Sequence, residues 1–341
     1  MEKDNNKIDS KFILILIAVS AITLIFTWAV FRLFPENKNI ASHKVLSASS
    51  DTIDWFTPDI ALLDSSGESK RIKYGRELVV HTSLYLGPKG SISHISNGMN
   101  CQNCHLDAGT KMWGNNYSAV ASTYPKYRER SGAVESTYKR INDCFERSLN
   151  GTVLDTASDE MQAIKAYIVW LGKDIPRGKK IKGAGITEVP YLWRAADPVA
   201  GKMVYMQKCR SCHKENGEGT IDVSGVSFQY QYPPLWGPHS YNDGAGLYRL
   251  SRIAGYIKSN MPFGSSYDAP QLTDEQAWDV AAYINSQPRP SSDKSKDWPK
   301  LSAKPIDYPF GPYTDTFSEA QHKYGPFGPI AEARKKQAKN K

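Results

Sequence analysis

Two short motifs, Cys101-Gln102-Asn103-Cys104-His105 and Cys209-Arg210-Ser211-Cys212-His213, constrain this chain more than any other feature. Each sets two thiols where they can form thioether bonds to the two vinyl groups of one haem, with an adjacent imidazole to ligate the iron. Cysteine and histidine are scarce, five and seven in 341 residues, so the double coincidence is informative. Zinc would ask for a fourth ligand close by, and a thioredoxin-like dithiol would lack the trailing His in a βαβ context. The chain therefore carries two covalently attached c-type haems, bound through Cys101, Cys104, His105, Cys209, Cys212 and His213.

Each haem lets a small domain close, because the apolar disc adds core that few side chains would otherwise supply. The length has room for two such domains. A net charge of +8 says little about partners: Arg334, Lys335, Lys336, Lys339 and Lys341 crowd the C-terminus, where a solvated, frayed end accounts for them. Nothing resembles a nucleic-acid module. The N-terminus is more specific. After Lys3, Lys7 and Lys11, an uncharged apolar run extends from Phe12 to Phe31 and closes at Arg32. Twenty residues at helical rise span about 30 Å, the hydrocarbon thickness of a bilayer. Trp28, Phe31, Leu33 and Phe34 stand where a small-x-small cleavage site would be, which favours an uncleaved anchor over a signal peptide. Covalent haem attachment takes place outside the cytoplasm, so the body should face the periplasm, held to the inner membrane by this helix.

The body repeats itself. In each half a glycine opens a helical stretch (Gly75 to Leu86; Gly201 to Lys208), the haem motif follows, and a capped amphipathic helix closes the unit. Ala166-Tyr167-Ile168 and Ala282-Tyr283-Ile284 mark the two closing helices, begun by Ser158-Asp159-Glu160 and Thr273-Asp274-Glu275-Gln276. The expected fold is mostly α: two tandem cytochrome c-type haem domains, an N-terminal transmembrane helix and an extended C-terminal tail. The boundaries are anchor 1–34, tether 35–60, a first haem domain 61–180, a second 181–290 and the tail 291–341. Lys173 to Glu188, with four Gly and Pro residues among lysines, reads as the linker. Phe310, Tyr313, Phe317, Tyr324 and Phe327 argue that part of the tail wraps over a domain.

The residues opposite each His decide the chemistry. In the second half Met261 lies 48 residues after His213, on the Pro/Gly-bounded loop Asn260-Met261-Pro262-Phe263-Gly264, a setting suited to an axial thioether. Lys258 is its competitor. The first half has no such loop. It has Cys144, 39 residues after His105, which cannot pair internally because haem consumes the other four cysteines. It is either a buried thiol or a reactive or ligating one. Glu135 to Leu149 reads as a helix stopped at Asn150-Gly151. On it Arg140, Cys144 and Ser148 recur every four residues, a cation, a thiol and a hydroxyl on one stripe. Lys126, Arg128 and Arg130 lie upstream, available to complete a basic pocket for oxyanions.

The run Arg140-Ile141-Asn142-Asp143-Cys144-Phe145-Glu146-Arg147-Ser148-Leu149-Asn150-Gly151 resembles the signature of dihaem thiosulfate dehydrogenases, which also act as tetrathionate reductases. Tyr232-Pro233-Pro234-Leu235-Trp236-Gly237, Asn242-Asp243-Gly244-Ala245-Gly246 and His322-Lys323-Tyr324-Gly325-Pro326-Phe327 extend the resemblance over about residues 70 to 330. It implies His105 and Cys144 as axial ligands of a catalytic haem, and Arg130, Arg140 and Ser148 as substrate contacts. It also implies a covalent sulfur intermediate on Cys144. Some relatives carry Lys immediately before the methionine of the second haem and exchange ligands on reduction; here Asn260 stands there, beside Met261 and Lys258. The implied reaction joins two thiosulfates into tetrathionate with release of two electrons, or its reverse. The electrons would leave through the His213/Met261 haem to a cytochrome, a quinone-linked system or an oxidase. The alternative is a membrane-anchored electron-transfer cytochrome serving another dehydrogenase or terminal oxidase, which leaves Cys144 beside Arg140 unexplained.

Overall fold

The computed structural model describes residues 52–222 and 228–339. The anchor expected over 1–34 and most of the tether lie outside these residues. Among the described residues no helix is long and apolar enough to cross a membrane.

Among the described residues eight α-helices of six residues or more carry the body. In the first half they are α1 (Gly67–Val80), α2 (Thr137–Asp143) and α3 (Asp159–Leu171). In the second they are α4 (Pro198–Lys208), α5 (Leu250–Asn260) and α6 (Asp274–Ser286). The tail adds α7 (Glu319–Tyr324) and α8 (Phe327–Lys339). Their starts follow local chemistry: Ser66, Ser136, Ser158 and Asp197 each accept a first-turn N–H, and Thr273 forms a reciprocal capping box with Gln276.

The sequence placed Gly75 at the opening of the first helix. Ser66 starts α1 well upstream instead, and Gly75 sits inside it for a packing reason. Where α1 crosses α3, a Cβ on Gly75 would stand 1.9 Å from the Ala163 carbonyl oxygen. Where α4 crosses α6, a Cβ on Gly201 would stand 1.9 Å from the Asp279 carbonyl oxygen. Ala163 and Asp279 each precede the tyrosine of the Ala-Tyr-Ile repeat by four residues, so the two crossings are one contact used twice. Each crossing organises its own core. Leu78, Phe145, Met161, Ile164, Tyr167 and Leu171 fill the first; Tyr205, Leu250, Ile253, Trp278, Val280 and Ile284 fill the second.

Strands are short. β1 (Thr52–Ile53) runs parallel to β4 (Lys180–Ile181), β2 (Lys126–Arg128) pairs antiparallel with β3 (Ala133–Glu135), and β5 (Thr220–Ile221) pairs with β6 (Tyr230–Tyr232). The first pair corrects two readings. The chain from Thr52 is docked rather than a free tether, with the Trp55 indole donating to the Leu171 carbonyl at 3.0 Å. The linker is fastened as well: Trp113 N–H donates to Gly183 O at 2.7 Å and Asn115 N–H to Gly185 O at 2.9 Å.

The tail is not simply extended. After an irregular stretch it ends in α7 and α8, and Phe327 and Ile330 are buried in the second core. Arg334, assigned to a frayed end, donates to Lys304 O and reaches Asp315 at 3.4 Å. Asp307 is buried against Arg249, and Asp297 against the first half. The tail therefore straps both halves together.

Candidate active site and haem pockets

Both haem-motif histidines are oriented in the same way. His105 donates Nδ1–H to Asn115 O at 2.6 Å, and His213 donates Nδ1–H to Pro233 O at 2.9 Å. In each case Nε2 is left with its lone pair for a metal, the tautomer a haem ligand requires. Burial pushes His105 down to about 4, with Arg140 adding to the shift, and burial also lowers His213, so both rings are neutral. The loop after His105 folds back tightly to deliver Asn115, and Asp107, Ala108, Trp113 and Asn115 all take positive φ there. Such backbone costs about 1–3 kcal/mol per residue and is characteristic of functional sites. Tyr117 stacks on His105 with ring centroids 4.4 Å apart.

The thiols are held as attachment points. Burial raises Cys101 to about 11, Cys104 to about 12 and Cys209 to about 12, which keeps them uncharged. Thr82 receives Cys101 N–H at 3.0 Å and places its own hydroxyl 3.2 Å from Cys101 Sγ. Among the described residues no group of three or more His, Cys, Asp or Glu is gathered as a bare metal ion would need.

A cavity of about 670 Å³ opens beside His213, with Cys209, Cys212, Leu235, Ile257 and Met261 on its wall. Its size and largely apolar wall suit a cofactor. Met261 follows the last turn of α5 and faces the same space as His213. Asn260 shares it: its Nδ2 donates to Trp113 O and to Tyr256 O, both at 3.0 Å, while its buried Oδ1 has no partner. Lys258 is engaged elsewhere, with Nζ at 2.7 Å from both Leu272 O and Asp274 Oδ1. The wall also includes Cys104, Leu106 and Asp107 from the first half, and the Tyr256 hydroxyl donates to Asn103 O at 3.2 Å. The two haem motifs are thus close neighbours across this cavity.

Cys144 lies at the end of α2, where the helix opens into a wider turn, Cys144–Ser148, with Leu149 N–H donating to Cys144 O at 2.9 Å. The expected single helix over 135–149 is therefore shorter at its start, where Glu135 belongs to β3, and changes register at its end. Such a bulge is a recurrent device at functional sites. Arg140 donates Nη1–H to Cys144 Sγ at 3.2 Å, and that sulfur is the main reason the guanidinium is held above its ordinary range. Cys144 in turn acts electrostatically on Cys101, Cys104 and Tyr117, so its sulfur is within electrostatic reach of the first haem motif.

The other expected contacts are placed less simply. Ser148 is half-buried in the wide turn, one residue short of the five-residue bond that replaces the regular ladder, and no hydrogen bond joins it to Arg140 or Cys144. Arg130 is tied to the tail, with Nε at 3.0 Å and Nη2 at 2.7 Å from Asp297 Oδ2, and Nη2 also at 2.7 Å from Gly244 O. Arg147 grips the same carboxylate with both terminal nitrogens, at 3.0 and 2.9 Å. Burial pushes Asp297 up, but the bonds from Arg147 and Arg130 outweigh it and leave the carboxyl at about 2. Asn242 completes the clasp, donating N–H to Arg147 O at 3.0 Å and Nδ2 to Glu146 O at 2.8 Å. Asp297 and the carbonyl partner Asn115 carried no pattern in the sequence, and Pro233 lay inside a quoted motif without an assigned task. Asn242 lay inside a quoted motif but had no assigned task.

Two covalent haem sites in tandem, each with its own helix crossing and oriented histidine, define a dihaem c-type cytochrome. Residues 92–176 match the SoxA/TsdA cytochrome c domain, and residues 198–288 match the cytochrome c domain. The chain belongs to the thiosulfate dehydrogenase family. It is 36% identical over 249 residues to the thiosulfate dehydrogenase of Psychrobacter arcticus, covering 72% of each chain. It is 36% identical over 243 residues to that of Allochromatium vinosum, covering 70% of this chain and 86% of the relative. Among solved structures, thiosulfate dehydrogenase (TsdBA) from Marichromatium purpuratum in its as-isolated form superposes with a TM-score of 0.64 at 32% identity. That match covers 74% of this chain and 51% of the other, so the chain spans about half the length of that structure.

Proposed function

We propose that the protein interconverts thiosulfate and tetrathionate beside the first haem motif, where His105 and Cys144 would hold one haem, while His213 and Met261 would hold a second haem that would supply the outlet for electrons. When bound, the haems supply two one-electron centres, matching the two electrons released when two thiosulfates become one tetrathionate. The observation that carries the reading is the Arg140 guanidinium 3.2 Å from the Cys144 sulfur, within electrostatic reach of the Cys101 and Cys104 thiols. The curated relatives named thiosulfate dehydrogenase supply the substrate class.

The chain's own residues address the electrostatic problem of the reaction. Two dianions 4 Å apart repel by about 4 kcal/mol even in bulk water, four times the unit-charge value. Arg140, fixed by Cys144 and the α2 backbone, offers its remaining donors to substrate oxygens. Arg130 is held on one edge by Asp297 and Gly244, and among the described residues its Nη1 has no hydrogen-bond partner, leaving that nitrogen for a second oxyanion. Ser148 is the neutral donor of the set. Asp297 orients Arg130 and Arg147 without facing the reaction itself. The apolar run Phe12–Phe31 would anchor this chemistry on the periplasmic side of the inner membrane, with a separate redox protein or quinone-linked system as electron acceptor.

Thiosulfate-dependent reduction of a dye by the purified dihaem protein tests the proposal. Wild type should turn over, and Arg140→Gln should lose about 100-fold in kcat/KM, the size expected for removing a charge-stabilising donor. A wild type that neither oxidises thiosulfate nor reduces tetrathionate would point to a pure electron carrier.

A further inference from the structure

The two haem-motif histidines share a backbone hydrogen bond but differ in the ring beside them. Tyr117 lies over His105 with the two rings only 27° from parallel, whereas Tyr232, the ring paired with His213, is 6.4 Å away and tilted by 66°. The loop after His105 builds the stack. Gly109 N–H donates to His105 O at 2.7 Å and Tyr117 N–H donates to Gly109 O at 2.9 Å, so the chain doubles back onto the histidine. Gly109 has a φ of +81°, and a Cβ there would stand 2.0 Å from Tyr117 Cδ2, so the ring comes this close only because residue 109 is glycine. Tyr167 pins the same loop, its hydroxyl donating to Ala108 O at 3.0 Å. Tyr117 itself is 7% exposed.

The proposed reaction gives Tyr117 no task, yet it is one of two independent contacts on the His105 ring. The hydrogen bond to Asn115 O holds the imidazole at its edge, and the stack covers one face. Together they remove the freedom of the ring to turn about the bond that Nε2 would make to iron. The stack also has an electrostatic consequence. The face of a phenol ring is electron-rich, and an imidazole on ferric iron carries more positive charge than one on ferrous iron. A stacked phenol therefore favours the ferric state and lowers the potential. We propose that Tyr117 is a positioning residue for the first haem: its stacked ring fixes the plane of the His105 imidazole and holds that haem at a lower potential than the same ligands would give without it. The inference rests on His105 holding the first haem, and is independent of what that haem turns over. His213 keeps the hydrogen bond, to Pro233 O, and lacks the stack, so only one half is tuned in this way. A lowered first potential favours electron flow from the first haem to the second, the direction of the proposed outlet.

Potentiometric titration and electron paramagnetic resonance of Tyr117→Leu holoprotein test the proposal, with Tyr117→Phe as the conservative variant and Tyr232→Leu as the control. The first haem is identified by its absence from a protein carrying both Cys101→Ser and Cys104→Ser. Tyr117→Leu should raise the midpoint of the first haem and broaden its low-spin signal, with the second haem unmoved. Tyr117→Phe keeps the stacked ring and should restore most of the wild-type midpoint and signal. Pentafluorophenylalanine at position 117 keeps the stacked shape but withdraws charge from its face; it should raise the first midpoint without broadening the signal, and it carries the test if Tyr117→Leu does not retain its haem. A first midpoint unmoved by the fluorinated ring and by Tyr117→Leu would overturn the proposal. So would an equal shift of the second haem in Tyr232→Leu, since no ring is stacked there. A wild type whose first haem has no nitrogen ligand would overturn the role of His105 as well, and its spectrum shows this before any variant is compared.

Discussion

The two halves share a scaffold and differ in the segment that follows the haem motif. Gly75 against Ala163 and Gly201 against Asp279 are the same helix crossing, and Asn115 and Pro233 offer the same carbonyl to Nδ1 of the haem-motif histidine. Beyond that the halves part. The first closes over its motif with a short helix that widens at Cys144 and carries Arg140 onto the sulfur. The second ends α5 at Asn260 and turns Met261 towards the cavity. The difference teaches that the fold repeats where helices cross, whereas the segment between the haem motif and the closing helix is where the halves diverge. In the proposed reading, a soft thioether there suits electron transfer, and a cysteine sulfur beside the Arg140 guanidinium suits oxyanion chemistry.

The sharpest way to break the comparison is at the shared contact. Gly75→Val and Gly201→Val each drive a side chain into a carbonyl that an unsubstituted helix approaches closely, at a cost of about 3 kcal/mol or more. If the crossings are equivalent, each variant should lose one haem and keep the other, counted by pyridine haemochrome assay and mass spectrometry. Loss of both haems in either variant would show that the halves fold as one unit.

A smaller effect is expected where the tail joins the comparison. Asp297→Asn leaves Arg130 and Arg147 without their buried counter-ion and should destabilise the protein by about 3 kcal/mol in chemical denaturation. The sign of the pH dependence follows from the carboxyl. Its folded value, about 2, lies below the ordinary 3.8, so its contribution is complete above about pH 4 and is lost as the pH falls towards 2. Wild type and Asp297→Asn should therefore converge in acid, and a stability difference that persists at pH 2 would contradict the assignment.

The smallest effect is expected at Lys258. Its ammonium pairs with Asp274, whose side chain is 39% exposed, so Lys258→Ala should cost no more than about 1 kcal/mol. The absorption band and midpoint of the second haem should not move on substitution. A changed ligand band would return Lys258 to the competition with Met261.

Much of this was legible in the sequence because covalent haem attachment needs contiguous residues. The same holds for the closing helices, whose caps Ser158 and Thr273 are local signals. Gly75 was noticed for the wrong reason: a glycine inside a helix is visible in sequence, but the carbonyl it meets on α3 is not. The Arg140–Cys144 pair followed from helical spacing, whereas the wide turn that offsets Ser148 has no pattern of its own. Arg130 read as available to a basic pocket because its partner Asp297 lies 167 residues away, in a tail whose aromatics signalled that it wraps over a domain but whose irregular composition hid its final helices.

The central claim is that the first haem is catalytic through Cys144 and the second is the outlet through Met261. Electron paramagnetic resonance of the oxidised protein, wild type and Cys144→Met, recorded alongside thiosulfate-dependent dye reduction, tests it most directly. The wild type should show one thiolate-type low-spin haem and one of His/Met type. Cys144→Met should lose the thiolate signal and at least about 100-fold in turnover, with the second signal unchanged. A wild type without a thiolate signal, or a variant that keeps full turnover, would contradict the claim.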